Sequence, residues 1–317
     1  MSAHPAWPPL HYPAWKPTCE TLHLWTQIVG KIRLTLTPWL NHSWHVPLYV
    51  TARGLSTSLI PYGGEGFEMR FDFIEHILDM ETSTGSRKRI RLVPQPVCDF
   101  YEAVMASLAD LGIRVSITQR PCEIANATSF GDDRAHASYD AEAAHRFWRL
   151  LLQADRVFKK FRTGFIGKAS PVHFFWGSFD LAVTRFSGRT APPFTGKVPG
   201  LSTEVMAEAY SHEVSSAGFW PGGNGIDYAS FYSYAYPAPE GFKDARVSPG
   251  GAFFSQSLGE FLLPYDEVRN APDPEAALLS FLQSTYEAAA DRAHWDRAAL
   301  ETRFSDARVP REPFSPR

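Results

Sequence analysis

Several ionisable side chains lie within an apolar segment, SPVHFFWGSFDLAVTRFSGR, at residues 170–189. The residues there that could bind or react are His173, Trp176, Asp180, Arg185 and Arg189. A buried carboxylate without partners is strongly disfavoured, so we expect Asp180 to accept several hydrogen bonds or to pair with an arginine. The segment predicts the wall of a cleft, and a purely structural ion pair at Asp180 is the alternative.

Two further segments combine histidine with aromatic and polar neighbours, namely NHSWH at residues 41–45 and YSHE at residues 210–213. If they converge with the first segment, a carboxylate could orient an imidazole while an arginine holds an anionic group. The predicted catalytic residues are His173, Asp180, His212 and Glu213. The predicted ligand-binding residues are His42, Trp44, Trp176, Arg185, Arg189 and Trp220.

A metal site is a weaker hypothesis for the same histidines. Two histidines and one carboxylate can bind iron or zinc, and His42, His173, His212 and Glu213 offer those groups. Adjacent His212 and Glu213 would point to opposite faces of a strand, however, so we predict no metal site. The motifs for a serine nucleophile, a dinucleotide or a phosphate loop do not occur, and any cofactor stays unknown.

Composition limits the classes of protein to consider. The 317 residues are 44% hydrophobic and 21% charged, which suffices for one large core or two medium ones. A formal net charge of −3 gives no field that would attract nucleic acid, and no apolar run reaches the roughly 20 residues of a membrane span. Three cysteines without a C-x-x-C pair, and no secretory signal pattern, favour reduced thiols and a cytoplasmic location. We expect a small-molecule ligand and neither nucleic acid nor membrane as partner, and the oligomeric state stays open.

The first half of the chain reads as α-β-β-β-α-β. Apolar spacing predicts a helix over residues 18–36, followed by a hairpin and by FEMRFDFIEHILDM as one long strand or a pair. A second helix, at residues 96–111, ends at Gly112 and leads into a short strand, IRVSI.

The second half repeats this plan with a helix capped by Asp140, several strands, and a final helix that begins at Asp273 and Pro274. The predicted fold class is α+β, with two similarly built halves, mainly antiparallel sheet and flanking helices. The predicted divisions are a proline-rich arm at 1–14, halves at 15–125 and 126–300, and a tail at 301–317. IVGK at 28–31 matches FIGK at 165–168, and Trp44 precedes Arg53 by the same spacing as Trp176 precedes Arg185, so an internal duplication is one possibility.

Five segments carry a resemblance to a known family: TLHLWTQIVGKIRL, VPLYVTARGLST, SPVHFFWGSFDLAVTRFSGR, AYSHEVSSAGFWPG and LLSFLQSTYEAAA. Together they resemble an uncharacterised bacterial family catalogued only as a domain of unknown function. The resemblance covers the chain from about Trp15 to Leu300 and implies one full-length family protein in the bacterial cytoplasm. It implies no activity, cofactor or catalytic residue.

Two functions follow from the residues. In the first, the protein is a cytoplasmic enzyme that uses histidine and carboxylate acid–base chemistry on a small acidic metabolite, in a cleft between the two halves. In the second, the same cleft binds an anionic or aromatic small molecule without turnover. The sequence leaves the choice between enzyme and binding protein open.

Overall fold

The computed structural model describes residues 6–223 and 225–302, which form helices and two antiparallel sheets. The helices are α1 (Tyr12–Leu36), α2 (Val97–Asp110), α3 (Ala141–Thr163), α4 (Thr203–Ala209), α5 (Tyr265–Arg269), α6 (Pro274–Arg292) and α7 (Arg297–Leu300). The strands of the first sheet are β1 (Tyr49–Val50), β2 (Gly54–Ser56), β3 (Ile60–Tyr62), β4 (Glu65–Asp72), β5 (Ile77–Thr82) and β6 (Arg87–Arg91). Those of the second are β7 (His173–Phe175), β8 (Asp180–Thr190), β9 (His212–Trp220), β10 (Ser230–Tyr236), β11 (Phe253–Ser255) and β12 (Glu260–Pro264).

The first sheet has the order β1-β2-β4-β5-β6, with β3 paired to β4, and it packs against α1 and α2. Alternation along β4 and β5 points one set of side chains into the core. The Phe100 ring of α2 stacks on Trp25 of α1 and on Phe71 of β4, so this contact joins both helices to the sheet.

The second sheet has the order β11-β12-β10-β9-β8-β7, and all of its pairings are antiparallel. Helices α3 and α6 pack against one face, where Leu181, Phe219 and Phe231 are buried. The two sheets meet at their edges, because Leu48 and Phe174 exchange backbone hydrogen bonds of 2.8 and 2.9 Å. The opposite face of the second sheet is covered by the segments that enclose the candidate site.

The α+β fold with antiparallel sheets and flanking helices confirms the predicted fold class. The predicted cap at Asp140 is present, since its side chain accepts from the Ala143 N–H at 3.1 Å, and the last helix starts where predicted, with Asp273 accepting from the Ala276 N–H at 3.0 Å. FEMRFDFIEHILDM forms a pair of strands, β4 and β5. Within the described residues, no helix combines the length and apolar character of a membrane span.

Some boundaries differ from the predictions. Helix α1 begins at Tyr12, inside the predicted arm, and IRVSI is not a strand. Residues 1–5 of the arm and 303–317 of the tail lie outside the described residues. The two tryptophan–arginine segments also have different structures: Trp44 and Arg53 lie in turns on either side of β1, whereas Trp176 opens the turn before β8 and Arg185 lies within that strand. This match therefore gives no support to an internal duplication.

Candidate functional site

A cavity of about 570 Å³ lies on the face of the second sheet that points away from α3 and α6. Strands β8, β9, β10 and β12 contribute one side of it. The other sides come from the first half of the chain, at residues 34–46 and in the loop at residues 122–123, and from residues 198–210, which include α4. The cavity therefore lies between the two halves, and its volume is typical of small-molecule sites.

Strand alternation selects the side chains that reach the cavity. On β8, every second residue from Asp180 through Thr184 faces it, and the intervening residues face α3 and α6. The antiparallel register places Ser216 of β9 opposite Thr184 and also opposite Tyr234 of β10. The same face therefore carries a row of hydroxyl groups beside Asp180, and Thr184 and Ser216 are hydrogen-bonded at 2.9 Å.

Three carboxyl groups line this cavity: Glu123 from the loop, Asp180 from β8 and Glu260 from β12. Asp180 is 7% exposed and accepts hydrogen bonds from the Ser178 and Tyr232 hydroxyls. Among the lining residues, all of which belong to the described chain, there is neither a lysine nor an arginine. Asp180 is therefore stabilised by hydrogen bonds from hydroxyl groups, and no cationic side chain of the cavity wall neutralises the three carboxyl groups.

This arrangement favours the protonated form of each carboxyl group. Burial raises the pKa of Glu123 to about 7, and the nearby Asp180 carboxylate raises it further in the same direction. Burial and Asp180 likewise raise the pKa of Glu260 to about 7. The pKa of Asp180 is also raised by burial, against the opposing effect of the hydrogen bonds from Ser178 and Tyr232.

Two glycines make room for this cluster. The Tyr232 ring crosses β9 at Gly218, where any side chain would collide with that ring and with the Leu181 carbonyl. A side chain at Gly177 would collide with the Glu123 carboxyl group. Both positions allow close approach without a positive φ at the glycine.

A second hydroxyl pair extends the polar surface. The hydroxyl groups of Tyr210 and Tyr234 lie 3.1 Å apart, and both side chains line the cavity. Burial raises the pKa of both tyrosines, so they stay protonated near neutral pH and can donate hydrogen bonds.

The segment between β8 and β9 covers the cavity. Its ends are joined by a hydrogen bond of 3.0 Å from the Ala191 N–H to the Ser211 carbonyl. Between these ends, Leu201, Val205 and Met206 turn apolar side chains toward the cavity. The Trp39 indole donates to Glu208 at 2.5 Å, which fastens this cover to the residues after α1.

Five of the predicted ligand-binding and catalytic residues do line the cavity: His42, Trp44, Trp176, Asp180 and Trp220. Trp176 is fixed there because its indole N–H donates to the Val46 carbonyl at 2.7 Å and its ring lies against Gly30. His212 lies just outside, with its ring centroid 6.0 Å from that of His42.

His173 lies on the same sheet face as Asp180 but behind the cavity wall. Its ring packs edge-on against Trp44 at 5.9 Å between centroids and against Tyr49 at 5.7 Å. The side chain is 1% exposed, and neither ring nitrogen has a hydrogen-bond partner among the described residues. Burial, together with the charges of Arg33 and Arg162, lowers the pKa of His173 to about 3, so the ring is neutral.

Three predicted residues lie away from the cavity. Arg185 points to the opposite face of β8, where it is enclosed by the rings of Phe161 and Tyr286. Arg189 is on the surface and pairs with Glu213 at 2.7 Å, while also donating to the Ala293 carbonyl. The predicted arginine clamp for an acidic group is therefore not assembled in this cavity.

Sequence reasoning missed Glu123, Glu260 and the tyrosines. The spacing of Tyr232, Tyr234 and Tyr236 is a visible signal, because alternate residues of a strand share a face. Glu123 offers no such signal, since it lies in a loop far from β8 in sequence.

The donor set does not suggest a metal centre. Among the described residues, no group of three or more His, Cys, Asp or Glu side chains is arranged to hold a metal ion. The side chains that line the cavity suit an organic ligand better, because apolar and aromatic groups surround the few polar ones.

A model of the family of unknown function DUF5996 matches residues 7–302, and the chain therefore belongs to this family. The match spans nearly the full chain and confirms the resemblance found in the sequence. Neither the curated proteins nor the solved structures include a match. The function must therefore be argued from the cavity.

Proposed function

We propose that this member of the DUF5996 family binds a small organic cation, an amine with an apolar or aromatic body, in the cavity between its two halves. One observation carries the proposal: Glu123, Asp180 and Glu260 line the cavity together, and the described lining residues include no lysine or arginine. Buried carboxylates are normally paired, so a cavity of this kind favours a ligand that brings the positive charge.

The electrostatics of the cluster support this choice. Burial, and then repulsion by Asp180, raise the pKa values of Glu123 and Glu260 to about 7, so these two groups are partly protonated near pH 7. An ammonium group placed among the three would attract all of them and lower their pKa values. Binding would thereby relieve a repulsion that the free protein carries.

The aromatic walls support an amine further. Trp176, Trp220 and Tyr210 line the cavity, and aromatic faces attract organic cations. Arg185 and Arg189, which we expected to hold an acidic substrate, lie elsewhere. The acidic substrate stays a prediction, and the cavity wall around Asp180 has no basic group that would bind it.

Titration calorimetry with phenethylamine and its neutral analogue phenylethanol tests the proposal. The amine should bind more tightly by at least about tenfold, a difference of about 1.4 kcal/mol. Asp180→Asn should reduce the affinity for the amine by a similar factor without affecting that for phenylethanol. Glu213→Gln is the matched control, because Glu213 pairs with Arg189 outside the cavity. Equal affinity for the two ligands, or unchanged amine binding in Asp180→Asn, would contradict the proposal.

Acid–base catalysis is the second candidate, and the pKa values near 7 of Glu123 and Glu260 favour it. A group that titrates near the working pH can both accept and donate a proton. Glu123 and Glu260 would then take the acid–base role that we predicted for histidine, because His173 is neutral and its ring nitrogens have no hydrogen-bond partner among the described residues. Mass spectrometry of amine ligands after incubation with the protein separates turnover from binding.

We also propose a cytoplasmic location. Cys19, Cys98 and Cys122 are all free and buried, which fits a compartment that keeps thiols reduced. The bacterial origin stays a prediction.

A further inference from the structure

A second polar cluster lies at the other end of the cavity, around Lys168. The backbone of Lys168 accepts a hydrogen bond of 3.0 Å from Phe186 N–H, which holds the lysine beside the distal part of β8. Its Nζ lies 4.6 Å from the centroid of the Phe186 ring and 5.2 Å from that of Trp44. Both rings line the cavity, so the ammonium group is at its edge.

His42 fixes the direction of one Lys168 hydrogen bond. His42 Nδ1 lies 3.1 Å from the Ala209 carbonyl oxygen, which can only accept, so Nδ1 is the donor. In the neutral ring, Nε2 then carries the lone pair and accepts from Lys168 Nζ at 2.7 Å. Burial, and the charge of Lys168, lower the pKa of His42 and keep the ring neutral. Lys168 therefore retains two N–H donors for another partner.

No carboxylate of the described residues forms an ion pair with Lys168, in contrast to Lys159 and Lys160, which pair with Asp155 and Glu275. The neighbouring groups are aromatic rings, His212, which lies against His42 at 6.0 Å between centroids, and the Glu208 carboxylate, which accepts from the Trp39 indole. A cation in this position has donors and charge available for an anionic ligand group.

The two clusters are well separated along one strand. Phe186 follows Asp180 by six residues on β8, which corresponds to roughly 20 Å at about 3.3 Å per residue. Between them, Ala182 and Thr184 of β8 line the cavity, together with Leu201 from the covering segment. The cavity thus has an acidic end and a basic end, and the hydroxyl groups of Thr184 and Ser216 in the section between them are hydrogen-bonded to each other.

We infer that Lys168, with His42 and His212, forms an anion subsite, and that the ligand is an extended zwitterion. Its ammonium group would lie among Asp180, Glu123 and Glu260, an assignment that rests on the proposed function. Its carboxylate or other acidic group would accept hydrogen bonds from Lys168. An apolar body of matching length would fill the middle of the cavity.

The test compares the ω-amino acids from ω-aminohexanoate to ω-aminododecanoate with the alkylamines of equal length, octylamine among them, and with octanoate, by titration calorimetry. The best ω-amino acid should bind about fivefold more tightly than the alkylamine of equal length, as expected for one ion pair at a partly exposed lysine. Lys168→Met should abolish this preference, and Lys168→Arg should keep it. Lys159→Met, a surface lysine paired with Asp155, is the matched control and should keep it too.

The outcomes separate this inference from the proposed function. If the alkylamines bind but the amino acids gain nothing, or keep their advantage in Lys168→Met, the anion subsite is wrong and the amine site stands. If octanoate binds through Lys168 while octylamine does not bind, the amine site is wrong and the ligand is not a zwitterion. Binding of none of the probes overturns both.

Discussion

Two buried charges on β8, Asp180 and Arg185, differ in what surrounds them. They lie on opposite faces of the same strand and are 7% and 0% exposed. Arg185 faces complementary groups, since its guanidinium lies 3.5 Å from the Phe161 ring centroid and 4.3 Å from that of Tyr286, and it donates to the Phe161 carbonyl. Asp180 faces hydroxyl groups and two further carboxyl groups.

The difference indicates which of the two charges serves the fold. Burial lowers the pKa of Arg185 to about 9, and the group still stays charged at neutral pH because the rings and the carbonyl stabilise it. At Asp180, burial raises the pKa against the opposing effect of the hydrogen bonds from Ser178 and Tyr232, and two further carboxyl groups line the same cavity. A charge surrounded by complementary groups stabilises the folded chain, whereas one surrounded by like charges gains most from a ligand.

The largest effect is expected at Arg185. Replacing it with alanine removes a large buried side chain and should lower the free energy of unfolding by about 3 kcal/mol. Arg185→Met, which fills most of the same volume, should lose much less. Chemical denaturation measures both, and amine affinity in the folded protein should be unchanged. A stable Arg185→Ala variant that no longer binds amines would reverse the comparison.

Asp180→Asn should have the opposite signature. At about pH 8 the variant should be more stable than the parent by about 1–2 kcal/mol, because a desolvated charge has been removed from a cluster of acids. Its amine affinity should fall at the same time. Thermal melts and calorimetry on one preparation provide both values. A clear loss of stability would instead indicate a structural carboxylate, as the sequence led us to consider.

The sequence predicted local features well. Helix starts at Asp140 and Asp273 were correct because a cap and its N–H partner lie within three residues. The strand face of Asp180 was also readable from alternation. The strand face of His173 could not be predicted in this way, because the turn between β7 and β8 interrupts the alternation. The pairing of His173 with Ala182 places it on the same sheet face as Asp180.

The long-range part of the site could not be predicted. The loop that brings Glu123 to Asp180 is held by contacts that are distant in sequence: the Glu123 N–H donates to the Pro199 carbonyl at 2.7 Å, and the Gln27 side chain of α1 bonds both the N–H and the carbonyl of Cys122 at 2.9 Å. Likewise, Arg185 and Arg189 both lie within ten residues of Asp180, and their sequence positions alone do not decide which arginine could pair with it. Arg185 cannot pair with Asp180 because it lies on the opposite face of β8, and Arg189 forms a surface ion pair with Glu213 instead.

The pH dependence of stability should sharpen the comparison at Glu260. The pKa of Glu260 in the folded protein, about 7, exceeds the ordinary glutamate value of 4.5, so between these pH values the folded state holds a proton that the unfolded state has lost. Stability should therefore fall as pH rises through this window. Glu260→Gln should flatten that fall and stabilise the protein above pH 7 by about 1 kcal/mol. If the free energy of unfolding had the same pH dependence in the parent and in Glu260→Gln, Glu260 would not have the raised pKa that this account assigns to it.

The smallest effect is expected for Tyr232→Phe. It removes one hydroxyl donor from Asp180 while keeping the ring that crosses Gly218. The free energy of unfolding should change by less than about 1 kcal/mol, and the pKa of Asp180 should rise. A heteronuclear NMR titration of the Asp180 carboxyl carbon follows this shift. A lowered pKa would show that the hydroxyl does not stabilise the charged form.

Proton release on amine binding tests the central claim most directly. Near pH 7, Glu123 and Glu260 are each partly protonated, and an ammonium group beside them favours their charged forms. Calorimetric titration of phenethylamine in two buffers of different ionisation enthalpy should therefore report the release of about one proton per ligand, vanishing well above pH 8. A binding heat that is independent of the buffer, or an uptake of protons, would contradict the claim that these carboxyl groups bind the ammonium group of the ligand.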